Sequence, residues 1–133
     1  MTPHERSLDL TGTATASARA RETAAAFLAE SVRRRGRPAS PAASDAVLLV
    51  ASELVTNAVR HAPGPCTLRL TAHEEVVVVE VTDTNPAPPE PRAPDITGRQ
   101  GGWGWKLVTR LADDVRVLPA PDGGKTVCTR LPW

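Results

Sequence analysis

Four polar residues in the stretch ELVTNAVRHA, residues 53–62, have the types and spacing of a chemical site. Glu53 and Asn57 are four residues apart, which in a helix places both side chains on one face, about 5–6 Å apart at Cβ. A carboxylate can deprotonate a water or a hydroxyl, and an amide oxygen is a hard ligand that suits Mg²⁺. Arg60 and His61 follow on the same side. Taken alone, however, an E-x-x-x-N pattern is more often a solvated helix face.

A glycine-rich stretch, GRQGGWGWK at residues 98–106, could hold an anion. Successive glycines let backbone N–H groups turn toward one ligand, and a helix that begins after them adds partial positive charge at its N-terminus. Phosphate is therefore a natural ligand, although a flexible turn explains the glycines equally well. The chain has no P-loop, because Pro119 stands where GxxxxGKT needs its first glycine.

Asp83 ends a run of β-branched residues, in phase with Val77, Val79 and Val81. An inward-facing carboxylate at a strand end could accept a hydrogen bond from an exocyclic amine such as that of adenine. It could also cap the following turn, which is the commoner use of Asp. The hydroxyl of Thr126 could support Asp83, or it could simply pair across strands.

Periodicity predicts the elements that must position these residues. Apolar residues recur at helical spacing in two long segments, the second of which has Ser40 as N-cap and Pro41 in its first turn. The predicted elements are an edge strand at residues 7–12, helices at 16–36 and 41–61, strands at 66–73 and 75–83, a helix at 103–113 and a closing hairpin at 115–133. Residues 1–6 are predicted to be a disordered tail.

This order of elements predicts one α+β domain over residues 1–133. Helices in two groups and tightly turning strands favour a two-layer α/β sandwich, with a mixed, mostly antiparallel sheet covered on one face by about three helices. The proline-rich segment 84–102 cannot be regular structure, and its length is typical of a lid or a binding loop.

Composition narrows the choice of partners and compartment. The 16 basic and 15 acidic residues give a net charge of +1, which is no reason to expect nucleic acid or an anionic membrane as partner. Cys66 and Cys128 have no zinc spacing and fit reduced core thiols. We find no signal core and no run near the roughly 18 apolar residues of a membrane span. The protein is therefore expected to be cytoplasmic.

Four segments in order give the sequence a family resemblance. ELVTNAVRHA, VEVTDTNPAPP, GGWGWKLVTRLAD and GGKTVCTRL resemble the N, G1, G2 and G3 boxes of a Bergerat-fold, or histidine-kinase-like, ATP-binding domain. The chain length and the segment LLVASELVTNAVRHA are most similar to those of bacterial anti-sigma-factor serine/threonine kinases. The resemblance covers about residues 7–133 and implies the Bergerat fold.

The resemblance implies a role for each matched residue. Glu53 would be the catalytic base, and Asn57 would hold Mg²⁺ that bridges the phosphates of ATP. Asp83 would bind the adenine amino group with the support of Thr126. Three further groups would contact or cover the phosphates: the N–H groups of Gly101, Gly102 and Gly104, the cations Arg60 and Lys106, and the ATP lid at residues 85–100.

The implied function is an anti-sigma factor that phosphorylates a serine or threonine of an anti-sigma-factor antagonist. Its partners would be a sigma factor and that antagonist, and relatives of this length often form homodimers. Two departures from the boxes leave a docking module without kinase activity as the alternative: no glycine follows Asp83 before Gly98, and Trp103 and Trp105 are atypical. A detached histidine-kinase domain ranks last, since no helix pair surrounds a phosphoacceptor histidine.

Overall fold

The computed structural model of the chain describes residues 2–11, 14–62, 64–87 and 104–133. These residues form five strands and three helices, in the order strand, two helices, two strands, helix, two strands. The elements are β1 His4–Leu10, α1 Ala16–Arg35, α2 Pro41–His61, β2 Cys66–Ala72, β3 Val76–Asp83, α3 Gly104–Leu111, β4 Asp114–Pro119 and β5 Lys125–Pro132.

The five strands form one sheet in the order β1-β2-β3-β5-β4, and every neighbouring pair is antiparallel. The predicted two-layer α+β fold is therefore confirmed, although the described strands contain none of the parallel pairing that a mixed sheet would have. The tight connections from β2 to β3 and from β4 to β5 account for two of the four antiparallel pairs, because short turns join antiparallel neighbours.

The first strand begins earlier than the sequence predicted. Residues 4–6, expected in a disordered tail, belong to β1, where His4 pairs with Ala72 at the far end of β2. The alternation in this strand is weak, since only Leu10 is fully buried. An edge strand of mostly polar residues gives little apolar signal, which is why its start was placed too late.

The helices bury apolar stripes against one face of the sheet. In α1, Ala20, Ala24 and Phe27 are buried at three- and four-residue spacing, and small alanines let the helix approach its neighbours closely. The stripe of α2 consists of the buried Val47, Val50, Ala51, Leu54, Val55 and Ala58. Because this stripe faces the core, the opposite side of α2 is fixed in space.

The ends of both long helices lie where the sequence predicted them. Gly36 follows α1 in the left-handed region at φ 78°, and its N–H donates to the carbonyl of Val32. The Ser40 hydroxyl accepts the N–H of Ala43 at 3.1 Å, and Pro41 occupies the first turn of α2. Each device satisfies backbone groups that a helix end leaves without partners.

One of the described helices, α2, is long and apolar enough by length and composition to cross a membrane, with a mean hydropathy of 1.4. The sequence prediction that no segment reaches this level was therefore too strict. The buried stripe of α2 packs on the sheet and on α1, as in the core helix of a globular domain.

Arg35 at the end of α1 joins three separate parts of the chain. Its guanidinium lies 3.4 Å from the ring centroid of Trp133 and donates to the carbonyl oxygens of Glu74 at 3.0 Å and Trp133 at 3.2 Å. The indole N–H of Trp133 in turn donates to the carbonyl of His73 at 2.8 Å. The cation therefore fastens α1 and the C-terminal residue to the β2–β3 turn.

We predict that Arg35→Ala lowers the free energy of unfolding by about 1–3 kcal/mol, since it removes a cation–π contact and several hydrogen bonds at once. Arg34→Ala is the control, because Arg34 is exposed and its side chain hydrogen-bonds to Glu30 one turn earlier on the same helix. Urea denaturation followed by Trp fluorescence measures both. Equal midpoints for the two variants would contradict the role given to Arg35.

The turn between β4 and β5 depends on a glycine for steric reasons. A Cβ atom at Gly124 would lie 1.9 Å from the carbonyl oxygen of Asp83 and 3.0 Å from the Cα of Thr84. Gly123 differs, because its φ of 97° favours glycine while nothing lies within 4 Å of its Cβ position. The turn can therefore reach the end of β3 only if residue 124 has no side chain.

We expect Gly124→Ala to destabilise the fold by about 3 kcal/mol, because the atoms it meets belong to the backbone and cannot rotate away. Gly123→Ala should cost about 1–2 kcal/mol, which is the strain of a left-handed non-glycine residue. Thermal unfolding of the two variants ranks them. The steric account fails if Gly123→Ala proves the more damaging.

Candidate functional site

The polar edge of α2 carries Glu53 and Asn57, one turn apart and both half-buried. Residues on either side, such as Leu54 and Ala58, are buried in the core. Within the described part of the chain, neither the Glu53 carboxylate nor the Asn57 amide has a hydrogen-bond or ion-pair partner. A partly desolvated acid and amide without protein partners are suited to bind an external ligand.

The Glu53 carboxylate lies against the first residue of α3. A Cβ atom at Gly104 would be 2.2 Å from Oε2 of Glu53, so this approach exists only because residue 104 is glycine. Gly104 is buried at the helix N-terminus, where partial positive charge favours anions. The structure therefore brings the N-box acid to the start of the helix that follows the glycine stretch.

Several predicted site residues lie outside the described residues. Gly101, Gly102 and Trp103 belong to this group, as do residues 88–100 of the predicted lid, so their roles stay predictions. Trp105 is half-buried and packs against the core.

Asp83 is buried and faces the core, as its phase with the inward valines predicted. It forms an ion pair that the sequence analysis missed. The ammonium Nζ of Lys125 lies 3.0 Å from both Oδ1 and Oδ2 of Asp83, and each side chain is only 4% exposed. The carboxylate expected to receive an adenine amine is therefore already paired with a cation of the same chain.

Asn85 completes the surroundings of this ion pair. Its N–H donates to Oδ1 of Asp83 at 2.9 Å, which is the turn-capping use of Asp considered above. Its carbonyl accepts from Nζ of Lys125 at 3.0 Å, and its side-chain amide donates to the carbonyl of His61 at 2.8 Å. The segment after β3 is thereby tied to the end of α2 and to the start of β5.

Thr126 does not support Asp83, so that expectation is wrong. Its hydroxyl is 2.7 Å from the hydroxyl of Thr82, which is the cross-strand pairing named as the alternative. Successive strand residues point to opposite faces, so Thr126 lies on the face away from the helices while Lys125 faces the core. Counting back by twos from the inward Leu131 would have placed Lys125 on the inward face of the sheet, the face that also carries Asp83.

The three candidate cations near the site differ in position. Arg60 and His61 are exposed in the last turn of α2, and Lys106 is exposed in the first turn of α3. Arg60 thus follows Asn57 by three residues on α2, and Lys106 follows Gly104 by two residues on α3. Their contact with a phosphate stays a prediction.

The residues present fit one kind of metal site. The described residues include no group of three or more His, Cys, Asp or Glu side chains that could hold an ion alone. The half-buried Asn57 amide can supply one oxygen to Mg²⁺, an ion that usually keeps several waters and takes substrate phosphates as further ligands. Asn57 therefore fits a magnesium ion delivered with a nucleotide.

The two cysteines are free and are not part of the site chemistry. Burial raises the pKa of the Cys66 thiol, and the nearby Asp83 carboxylate raises it further. Burial and the charge of Glu80 likewise raise the pKa of the Cys128 thiol. Both groups are neutral thiols at physiological pH, so neither is an activated nucleophile.

Solved structures share this fold. One is the crystal structure of the RsbU and RsbW domains of Rv1364c from Mycobacterium tuberculosis, with a TM-score of 0.63 and 19% identity over 96% of the present chain and 32% of that one. Another is the histidine kinase domain of the EL346 blue-light activated histidine kinase from Erythrobacter litoralis, with a TM-score of 0.52 and 21% identity over 84% and 60%. The chain thus spans less than two thirds of either neighbour.

The sequence itself identifies the family. No curated protein matches it significantly. The model of the family described as "Histidine kinase-like ATPase domain", however, matches residues 13–131, a range that runs from before α1 to the last but one residue of β5 and includes every box quoted above. The chain therefore belongs to the histidine-kinase-like ATPase domain family.

Proposed function

We propose that this protein is a cytoplasmic regulatory kinase that binds Mg-ATP and phosphorylates a serine or threonine of an anti-sigma-factor antagonist. The observation that carries the proposal is the half-buried Glu53–Asn57 edge of α2, with the Glu53 carboxylate against the first residue of α3. A carboxylate beside an amide matches the needs of phosphoryl transfer, in which positioning and charge neutralisation supply most of the rate.

Each residue of the edge has one task in the proposed reaction. Asn57 would hold Mg²⁺, which would neutralise part of the charge of the ATP phosphates. Glu53 would accept the proton of the acceptor hydroxyl as the hydroxyl oxygen bonds to the γ-phosphorus, while the bond from the γ-phosphorus to the bridging oxygen breaks and ADP leaves. The first N–H groups of α3, beginning at Gly104, point toward the phosphates, and Arg60 and Lys106 add positive charge beside them.

The base end of the nucleotide would lie toward Asp83, where the carboxylate would accept a hydrogen bond from the amino group of adenine in competition with Lys125. Asp83 and Gly104 belong to elements that both neighbour α2 in the fold. In this proposal one nucleotide extends from the end of β3 to the start of α3 along the polar edge of α2. The distance between the end of β3 and the start of α3 is set by how these two elements pack on α2.

The partners follow from the kind of regulator proposed. A sigma factor would be sequestered and an antagonist with an acceptor serine would be phosphorylated, while nucleic acid and membrane would not be contacted directly. The fold shared with a structure that contains an RsbW domain supports a regulatory role of this class. A homodimer is the expected assembly.

One observation favours a second candidate function. The Lys125 ammonium hydrogen-bonds to both oxygens of the Asp83 carboxylate, and the described residues 84–87 that follow Asp83 include no glycine. A domain whose base-binding carboxylate is closed could regulate by docking alone, with nucleotide bound weakly or not at all. ATP binding by the wild-type chain separates the two functions.

The proposal predicts that Glu53→Gln lowers phosphate transfer by about 10²- to 10⁴-fold, because the amide cannot accept the proton. Affinity for Mg-ATP should stay nearly unchanged, whereas Asn57→Ala should weaken it. Asp45→Asn is the matched control, being an exposed acid on the same helix. Transfer from labelled ATP to a candidate antagonist is measured together with calorimetric binding.

Two results would contradict this proposal. Transfer by Glu53→Gln at the wild-type rate would remove Glu53 as the base. No binding heat at millimolar Mg-ATP would remove the nucleotide and leave the docking function.

A second variant tests the placement of the carboxylate rather than its chemistry. Gly104→Ala should reduce transfer almost to the level of Glu53→Gln, because the new methyl group occupies the space of Oε2. Stability should change by less than about 1 kcal/mol, since the displaced atoms end a flexible side chain and Ala favours helix. In the double variant, Gly104→Ala should lower phosphate transfer no further than Glu53→Gln alone. Additive losses of transfer would show that Gly104 acts independently of Glu53.

A further inference from the structure

The buried Asp83–Lys125 ion pair has a consequence for nucleotide affinity. We propose that Lys125 is the residue that sets the affinity of this domain for adenine, by holding the carboxylate that would otherwise receive the amino group of the base. The inference rests on the proposed function, since it assumes that ATP enters between α2 and the end of β3.

The ammonium of this ion pair uses all its hydrogen-bond donors, and the carboxylate uses most of its acceptor sites. An ammonium group has three N–H donors, and Nζ of Lys125 finds three oxygens at 3.0 Å: Oδ1 and Oδ2 of Asp83 and the carbonyl of Asn85. On the acid, Oδ1 also accepts the N–H of Asn85 at 2.9 Å. The lone pairs left on the carboxylate are therefore few, and the ammonium has no donor left for a ligand.

The backbone fixes the ion pair in place. Asp83 and Lys125 stand opposite each other in the register of β3 and β5. The neighbouring Gly124 approaches the carbonyl of Asp83 too closely for any side chain, and Asn85 ties the next segment to α2. Lys125 is only 3% exposed, so turning its ammonium away from Asp83 would leave two uncompensated charges inside the protein.

Adenine competes poorly for such a carboxylate. Its amino group is a neutral donor, whereas the ammonium forms charge-assisted hydrogen bonds, which are roughly twice as strong. Lys125 is equally unsuited to a phosphate, because the charge of Asp83 already neutralises its own. Lys125 thus competes with the base for the carboxylate of Asp83 and does not act as a phosphate-binding cation.

The test is the affinity of a variant that opens the carboxylate. Lys125→Thr should bind Mg-ATP about tenfold more tightly than the wild type in calorimetry, which is the effect of about 1.4 kcal/mol. Its affinity for Mg-GTP should not rise, since guanine presents a carbonyl where adenine presents its amino group. Arg130→Thr is the matched control, because it removes an exposed cation from the same strand.

A second variant guards against loss of folding. Lys125→Gln keeps a neutral donor near Asp83 and should bind Mg-ATP with an affinity between those of the wild type and Lys125→Thr. Mg-ATP should also raise the melting temperature of either variant by more than that of the wild type. A gain in a variant cannot result from damage to the fold.

The outcomes separate this inference from the proposed function. The inference is overturned if the Lys125 variants bind ATP as tightly as the wild type, or if they bind both ATP and GTP more weakly. The proposed kinase function is retained in that case if phosphate transfer still depends on Glu53. Tighter ATP binding without any transfer supports the inference and overturns the kinase. If no form of the protein binds Mg-ATP, both fail.

Discussion

The packing of α2 is the constraint on which the rest of the site depends. Its stripe of Val, Leu and Ala must be buried against the sheet and α1, because these residues supply much of a core that contains a single Phe. Burying the stripe fixes the rotation of the helix about its axis. Glu53 and Asn57 are then held at the border of the core, with Glu53 against the first residue of α3, and their placement follows from hydrophobic burial rather than from polar contacts.

Two close approaches of backbone and side chain complete the placement. At Gly104 the absence of a side chain admits the carboxylate of Glu53, and at Gly124 it admits the end of β3 to the β4–β5 turn. Neither glycine lies in the left-handed region, so both are required for space and not for backbone freedom. The predicted G2 and G3 boxes thus each contain a glycine at a position where any side chain would clash with a neighbouring segment.

Most of the fold could be predicted because its signals are local. The Ser40 cap, the Gly36 stop and the valine run of β3 each act within a few residues, and the elements from α1 to β5 lie close to where those signals placed them. Much of the candidate site was also visible, since the spacing of Glu53 and Asn57 is itself local.

The errors have a common cause, which is that they concern pairings between distant segments. Lys125 meets Asp83 across 42 positions of sequence, and only the register of β3 with β5 brings them together. The assignment of Thr126 failed for the same reason, since a shift of one residue in a strand reverses the face. The start of β1 was misplaced because a mostly polar edge strand gives little local signal, and the pairing of His4 with Ala72 spans 68 positions.

The central claim is that one nucleotide with its magnesium lies along the polar edge of α2. The most direct measurement is a titration of the ¹⁵N-labelled protein with Mg-ATP, observed by amide chemical shifts. The account predicts that the largest changes cluster at Asn57, at Asp83 and at Gly104, three positions far apart in sequence. Changes confined to other parts of the chain, or none at millimolar nucleotide, would contradict it.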